Sequence, residues 1–494
     1  MATTQASRGG RFAASGKSGH KKRTGAGLQL LLSFLLLADL FLLYTFAMQL
    51  THQQKVVEFS STLNAGLVAV FAVGAVVLGA AVILKGAWKR AICLLLVFAA
   101  LYLVAAFSDI PVVKKYREMW ISTAMNTMRH QGLATYYFPA SKVKEVTDRE
   151  AAARSSQVGD NTIDDFGRDA DDKSGWTDPP GETVTDESGG IVVQELSEEQ
   201  KAFYRLFYEL DRDSTDAWFK AHPEVLSEGY ENILVNETSL EREGTTIRTK
   251  LGEKVLAIDA KSQILILEVD ADGSRGVLAI AKDPSMLRLC AASSLPYYGQ
   301  TVGKIAKSND GVLAMTGSGF IDEGGVGNGG ELAGFARCSG KDYEPQDDEH
   351  SYKNKWGYKR LELHEDNWLY LRDAFTDCAD TGTDAMEFQP GLLITGKKLD
   401  PLGWTGIQPR ACIGQSSRGE ILMLCVEGRR LASPGCSVVV CADILLQHDG
   451  INAINCDGGT TAIMWYRGEP IIRCSNSAIP EGRYLPNAWV YVGD

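Results

Sequence analysis

Three long apolar runs follow a short basic stretch at the start of the chain. Leu28 to Leu50 is broken mainly by Ser33, Asp39, Tyr44, Thr45 and Gln49. Ala65 to Leu84 carries no charge, and Ala91 to Phe107 is uncharged and runs on to Val113 with one Asp. Each is near the roughly 20 residues that cross a bilayer as a helix. Three such runs are too many for a cleaved leader, so residues 28–113 are expected to form three transmembrane helices. Asp39 is costly in lipid and is expected to make a polar contact with another helix.

Beyond them the pattern changes. Tyr116 to Phe138 sets Met119, Trp120, Met125, Met128, Tyr136, Tyr137 and Phe138 among polar residues. It predicts a juxtamembrane amphipathic helix within 114–145, with His130 as a structural side chain. Val146 to Gly190 is dominated by Asp, Glu, Ser, Gly and Thr. Too little apolar surface is available there to offset ordering entropy, so 146–190 reads as an acidic flexible linker. A helical lead-in occupies 191–244. Phe203, Leu206, Phe207 and Leu210 recur at helical spacing after a Ser197–Gln200 capping box, and a second helical piece spans Asp213 to Leu226. Asn236-Glu237-Thr238 matches a glycosylation sequon, informative only in a eukaryote.

From about Thr245 the period shortens to that of strands. Lys254 to Ile258, Ile264 to Val269, Gly276 to Ile280, Tyr358 to Leu363, Leu392 to Ile394 and Ala488 to Val492 are β-rich. Ala411 to Ile413 is expected to pair with Ile421 to Val426 across the SSRGE turn. Helices are expected at Gly303 to Ser308 and Val438 to His448, and Ile451 to Pro470 reads strand, tight polar loop, strand. Without a regular βαβ alternation, 245–494 is expected to be an α+β domain around a mixed β-sheet.

Charge places these parts. Arg8, Arg11, Lys17, Lys21, Lys22 and Arg23 precede the first apolar run, and Lys85, Lys89 and Arg90 lie between the second and third. The positive-inside rule puts both regions in the cytoplasm, and three crossings then put the C-terminal domain outside. The net charge of −12 argues against nucleic acid, whose phosphates need a basic footprint. The membrane bilayer is the expected partner of the apolar runs. Nine of the ten cysteines fall between Cys290 and Cys474 without a CxxC, which argues against zinc. Cys412, Cys425 and Cys456 sit in apolar strands and read as buried, inert residues.

The candidate chemistry centres on DGGTT, residues 457–461. Successive backbone N–H groups of Gly458, Gly459, Thr460 and Thr461 fit an anion-binding nest or an ordinary tight turn. Asp457 is the first candidate for a working carboxylate, with Asp322 and Glu427 for the second. Arg410 and Arg429 are candidate phosphate ligands, because a guanidinium binds such oxygens through two parallel hydrogen bonds. Asn455 positions substrate or braces the loop. No cofactor is expected. Asp322, Asn455 and Asp457 offer oxygens to a divalent cation, without EF-hand spacing.

The order of motifs GVLAIAKDPSMLRL, GQTVGKIAKSNDGVLAMTGSGFID, GNGG, MEFQPGLLITGK, GWTGIQPRACIG, CVEGRR, INAINCDGGTTAIMWYRG and LPNAWVYV resembles the phosphodiester glycosidase family, over about Gly276 to Gly493. The resemblance implies hydrolysis between an anomeric carbon and a phosphodiester oxygen. It also implies site positions at Asp322, Arg410, Gly428, Arg429, Asn455, Asp457, Gly458, Gly459, Thr460 and Thr461. The family usually has Asn where this chain has Thr316, Asp where it has Glu427, and serines at the two threonines. The expected function is a membrane-anchored extracytoplasmic hydrolase of sugar-1-phosphodiesters on surface glycans. The alternative is a weak or inactive relative that binds anionic glycan, for which Thr316 and Glu427 are the discriminating positions. A polymer assembly or export component is a third reading.

Overall fold

The computed structural model of the chain describes residues 19–52, 54–127, 129–157, 182–185, 191–194, 196–236, 245–353, 355, 357–403 and 405–493. Two compact units divide it: Met1–Arg117 with His130–Ala140, and Glu118–Arg129 with Ser141–Asp494.

In the first unit the three apolar runs are helices, Gly19–Thr51, Ser61–Leu84 and Trp88–Phe107, each long and apolar enough to cross a membrane. Their outward faces stay apolar and open. Val76 is 73% exposed and Leu84 83%, a surface that water would penalise and lipid would not. The few polar side chains turn inward. Asp39 packs on Gly74 of the second helix, where a Cβ would collide with its carboxylate. The Asn64 amide donates to the Phe46 carbonyl at 3.4 Å. Farther along, Thr45 and Tyr137 share a hydroxyl hydrogen bond of 2.7 Å, and His130 lies 3.8 Å from Glu58.

The expected single helix over 114–145 is three pieces: Pro111–Met125, Gly132–Thr135 and Ala140–Ser155. Pro139 explains the last break, since the residue before a proline is pushed out of the helical region and the proline opens a new first turn. The third piece also carries helix ten residues into the expected linker. Val143, Val146 and Glu150 are buried there, and Glu150 is bonded by Ser122 and Thr405 rather than solvated. Within 182–194, Glu182–Thr185 pairs antiparallel with Ile191–Gln194. Residues 158–181 and 186–190 of the linker, like Glu237 and Thr238 of the sequon, lie outside the described residues.

The lead-in forms as expected. Glu198–Leu206 begins with the Ser197–Gln200 capping box, and Arg212–Ala221 follows with Asp211 as its cap. Phe203, Phe207 and Phe219 bury against one face of a nine-stranded sheet. That sheet runs, edge to edge, Lys397–Lys398, Gly391–Ile394, Gly450–Asn455, Arg410–Ser416, Ile421–Val426, Ser274–Ala281, Ile264–Ala271, Lys254–Asp259 and Leu234–Val235. Strand periodicity splits its side chains between two cores. Leu265 and Leu267 join the lead-in helices and the Val438–Gln447 helix on one face. Ile264 and Ile266 join a second core on the other.

Two five-stranded sheets close that second core. One runs Glu469–Pro470, Met464–Tyr466, Leu313–Thr316, Asn487–Tyr491 and Leu287–Ala291, backed by the Val302–Ser308 helix; the other is built around Gly382–Phe388 and Lys359–His364. Met315, Trp489, Leu361 and Met386 meet the first sheet's Ile413 and Met423 between them. The class is α+β, and the strand pairings among the described residues run antiparallel. The Arg410–Ser416 and Ile421–Val426 strands pair across the SSRGE turn as expected. Cys412, Cys425 and Cys456 are fully buried in the sheets, and among the described residues no cysteine is joined to another.

Candidate active site

The DGGTT loop is not a hairpin turn. The strand before it, Gly450–Asn455, lies in the nine-stranded sheet beside Arg410–Ser416. The strand after it, Met464–Tyr466, lies in a five-stranded sheet beside Leu313–Thr316. The loop therefore crosses from one sheet to another and is stitched from both sides. Cys456 N–H donates to the Ala411 carbonyl at 2.8 Å and Gly459 N–H to the Pro409 carbonyl at 3.1 Å, while Asp457 N–H donates to the Gly317 carbonyl at 3.2 Å. Glycine is required here for two reasons. Gly459 has φ 68°, a left-handed conformation that a Cβ disfavours. At Gly458 a Cβ would stand 2.9 Å from the Pro409 oxygen.

Asp457 sits at the centre of this crossing and keeps part of its surface open. Its Oδ1 accepts from Gly458 N–H at 2.9 Å. Burial pushes its carboxyl up to about 6, against the opposing pull of the Thr461 hydroxyl, the Gly458 N–H and the Arg483 guanidinium, while the Asp322 charge adds to the rise. A carboxylate tuned in this direction is poised to exchange protons near neutrality.

Asp322 and Arg483 form the neighbouring pair. Arg483 engages both carboxylate oxygens, with Nη2 to Oδ1 at 2.7 Å, and donates to the Gly327 carbonyl at 2.9 Å. Its guanidinium lies 4.8 Å over the Phe320 ring. Asp322 is thus the anchor of an arginine rather than an unengaged carboxylate. Tyr352, packed on Tyr358 with ring centroids 3.8 Å apart and the rings tilted by 31°, closes another side. Burial raises its hydroxyl pKa, and the charges of Tyr358, Asp457 and Glu387 raise it further.

Arg429 lies on the opposite rim. Its backbone is left-handed, at φ 58°, and its side chain reaches back to the loop. Nη2 is 3.0 Å from where a Cβ on Gly459 would stand. Its Nη2 and Nε donate to Gln408 Oε1 at 2.9 and 3.3 Å.

The remaining expected positions support this arrangement from behind. Arg410 is 3% exposed. Its Nε and Nη2 donate to the Cys436 and Gly406 carbonyls at 3.2 and 2.7 Å. Glu427 accepts from Arg275 Nη1 at 2.9 Å and from Arg473 N–H at 3.3 Å, a buried pair apart from Asp457. Asn455 donates to the Gln389 carbonyl at 2.9 Å and so braces its strand. Thr316 clasps the far end of the loop. Its hydroxyl donates to the Thr461 carbonyl and accepts from Ile463 N–H at 3.1 Å. The proposed nest is mostly spent internally: Gly458 N–H goes to Asp457, Gly459 N–H to Pro409 and Thr461 N–H to Gly458. Thr460 is half-buried beside Cys474, whose thiol donates to its carbonyl at 3.5 Å. Among the described residues no group of three or more His, Cys, Asp or Glu is arranged to hold a metal.

Arg483, Tyr352 and Gln408 were not expected from the sequence. Arg483 stands just before LPNAWVYV, and Gln408 lies within GWTGIQPRACIG two positions before Arg410, so their motifs were visible while their roles were not. Tyr352 lies in a polar stretch with no periodic signal.

Comparison with known proteins agrees with the motif order. Residues 309–492 match the phosphodiester glycosidase family. Among solved structures, the chain is similar to the catalytic domain of zebrafish N-acetylglucosamine-1-phosphodiester alpha-N-acetylglucosaminidase, auto-inhibited by its pro-peptide. Identity is 17%, coverage 47% of this chain and 82% of that one, and TM-score 0.38. A hypothetical protein from Synechocystis is similar at 15% identity, 49% and 65% coverage, and TM-score 0.33. No curated protein matches the chain.

Proposed function

We propose that this chain is a membrane-anchored glycosidase that hydrolyses the bond between a sugar's anomeric carbon and a phosphodiester oxygen. The observation that carries the reading is Asp457. It is a partly open carboxylate, raised to about 6 by burial, on a loop held between two sheets and flanked by Arg483 and Arg429. In this reading the Asp457 carboxylate takes a proton from water as the water's oxygen bonds to the anomeric carbon. The carbon–oxygen bond to phosphorus breaks at the same centre, and its electron pair leaves with the phosphate. A phosphate monoester is a good leaving group, so a second, protonating carboxylate contributes less than in ordinary glycoside cleavage. That fits a site where Asp322 and Glu427 are already paired with arginines. Arg483 and Arg429 bind the phosphodiester charge. The basic residues around the apolar helices support placing the domain outside the cytoplasm, where surface glycans are the substrate class.

The test is sugar release from a panel of methyl-capped sugar-1-phosphodiesters by the full chain in detergent. The wild type is expected to liberate free sugar, and Asp457→Asn to slow it about 10²- to 10⁴-fold. A second reading, glycan binding without cleavage, is favoured by the engagement of both other carboxylates. Tight binding of the panel with no sugar released would replace the first reading by the second.

A further inference from the structure

Gln408 joins two features that lie far apart in the sequence. On one side its Oε1 accepts both Arg429 donors, at 2.9 and 3.3 Å. On the other its Nε2 donates to the carbonyl of Thr123 at 2.8 Å. Thr123 belongs to the Pro111–Met125 helix, and the same threonine's hydroxyl accepts from Ile407 N–H at 2.9 Å. At Gly406 a Cβ would stand 2.7 Å from Thr123 N, so loop and helix touch backbone to backbone. One turn of sequence earlier, Thr405 N–H and hydroxyl donate to Glu150 of the Ala140–Ser155 helix at 3.1 and 3.2 Å. Glu150 also accepts from Ser122 at 2.6 Å. Gln408 itself is 4% exposed, and its backbone exchanges both hydrogen bonds with Cys436.

We propose that Gln408 is the positioning residue for Arg429, and that the helical pair 118–125 and 141–155 is a working part of the phosphodiester site because it holds Gln408 through Thr123. The inference rests on the function proposed above. Its physical reason is preorganisation. Arg429 is an exposed, rotamer-rich side chain at the rim, and a long cation that must be ordered at the moment of binding loses part of its binding free energy to that ordering. A buried amide that accepts two of its N–H groups settles the guanidinium against Gly459 beforehand. An amide oxygen can do this only if its own NH₂ is directed elsewhere, and the Thr123 carbonyl directs it. The segment between membrane and domain is thereby more than a tether, since its backbone sets the orientation of a side chain on the substrate rim.

The experiment uses the full chain in detergent with Gln408→Leu and Thr123→Val beside wild type, and reads two quantities. The first is the split between KM and kcat on the methyl-capped sugar-1-phosphodiesters. The second is the rate at which a 1,2-dicarbonyl reagent modifies Arg429, followed by peptide mass. Gln408→Leu is expected to raise KM about tenfold with kcat changed less than about threefold, and to speed Arg429 modification several-fold. Thr123→Val is expected to shift both in the same direction by less. Unchanged KM and an unchanged modification rate in Gln408→Leu would overturn the proposal, as would an equal fall in kcat with KM constant. Where wild type releases no sugar, the proposed function fails and the modification rate alone decides: faster in Gln408→Leu upholds the positioning role, and equal rates refute it.

Discussion

Asp457 makes two predictions at the scale of a single residue. Its folded-state carboxyl titrates near 6, above the ordinary value of 3.8. Acting as a base, it gives kcat/KM an acid limb that falls below about pH 6, read from a pH–rate profile. The stability consequence has the opposite sense from a salt-bridged Asp. Between about pH 4 and 6 the folded state binds more protons than the unfolded, so this residue's contribution to stability falls as pH rises through that window. Asp457→Asn is therefore expected to keep or raise Tm at pH 7.5 while losing activity; a Tm drop of several degrees would mark the residue as structural. Arg410 makes the contrary case. Its guanidinium bonds two backbone carbonyls in a buried site, so Arg410→Ala should cost about 2–4 kcal/mol by denaturant titration and leave KM of the folded fraction within about twofold. At this scale the sequence made Asp457 legible, because DGG between apolar runs fixes where a carboxylate stands. It did not separate Arg410 from Arg429. Both follow motif residues, and the direction of a guanidinium depends on which carbonyls surround it. Nor did it pair Arg483 with Asp322, which lie 161 positions apart in the chain.

Elements were legible where periodicity was strong. The capping-box helix, the Val438–Gln447 helix and the Arg410–Ser416 hairpin partner all stand where hydrophobic spacing puts them. Pairing across the DGGTT loop was not legible. Loop length alone suggests that the flanking strands meet, yet each finds its partners in a different sheet, a choice made by long-range packing. The linker starts farther along the chain than composition predicts for a related reason: composition sets residues 146–190 in solvent, while the fold buries Glu150 among three donors from Ser122 and Thr405. Glu150→Ala leaves the Thr405 N–H without its acceptor and should cost about 1–3 kcal/mol in thermal or denaturant unfolding, with Glu150→Gln costing less. An unchanged midpoint in Glu150→Ala would mean that this helix does not dock on the domain.

At the scale of the whole molecule, the described residues hold three apolar helices with open apolar faces and an α+β domain built on one nine-stranded and two five-stranded antiparallel sheets. The proposed orientation sets the domain across the membrane from the basic residues before the first helix and between the second and third. A reporter that is active only in the cytoplasm, fused after Asp494, is expected to be silent, and activity there would reverse the orientation. The proposed reaction turns on which bond is broken. A glycosidase and a phosphodiesterase acting on one sugar-1-phosphodiester differ in where water's oxygen goes. Hydrolysis in heavy-oxygen water, with the released phosphate monoester read by mass spectrometry, separates them. Asp457 acting at the anomeric carbon predicts a phosphate with no heavy oxygen, and incorporation of heavy oxygen into the phosphate would contradict it.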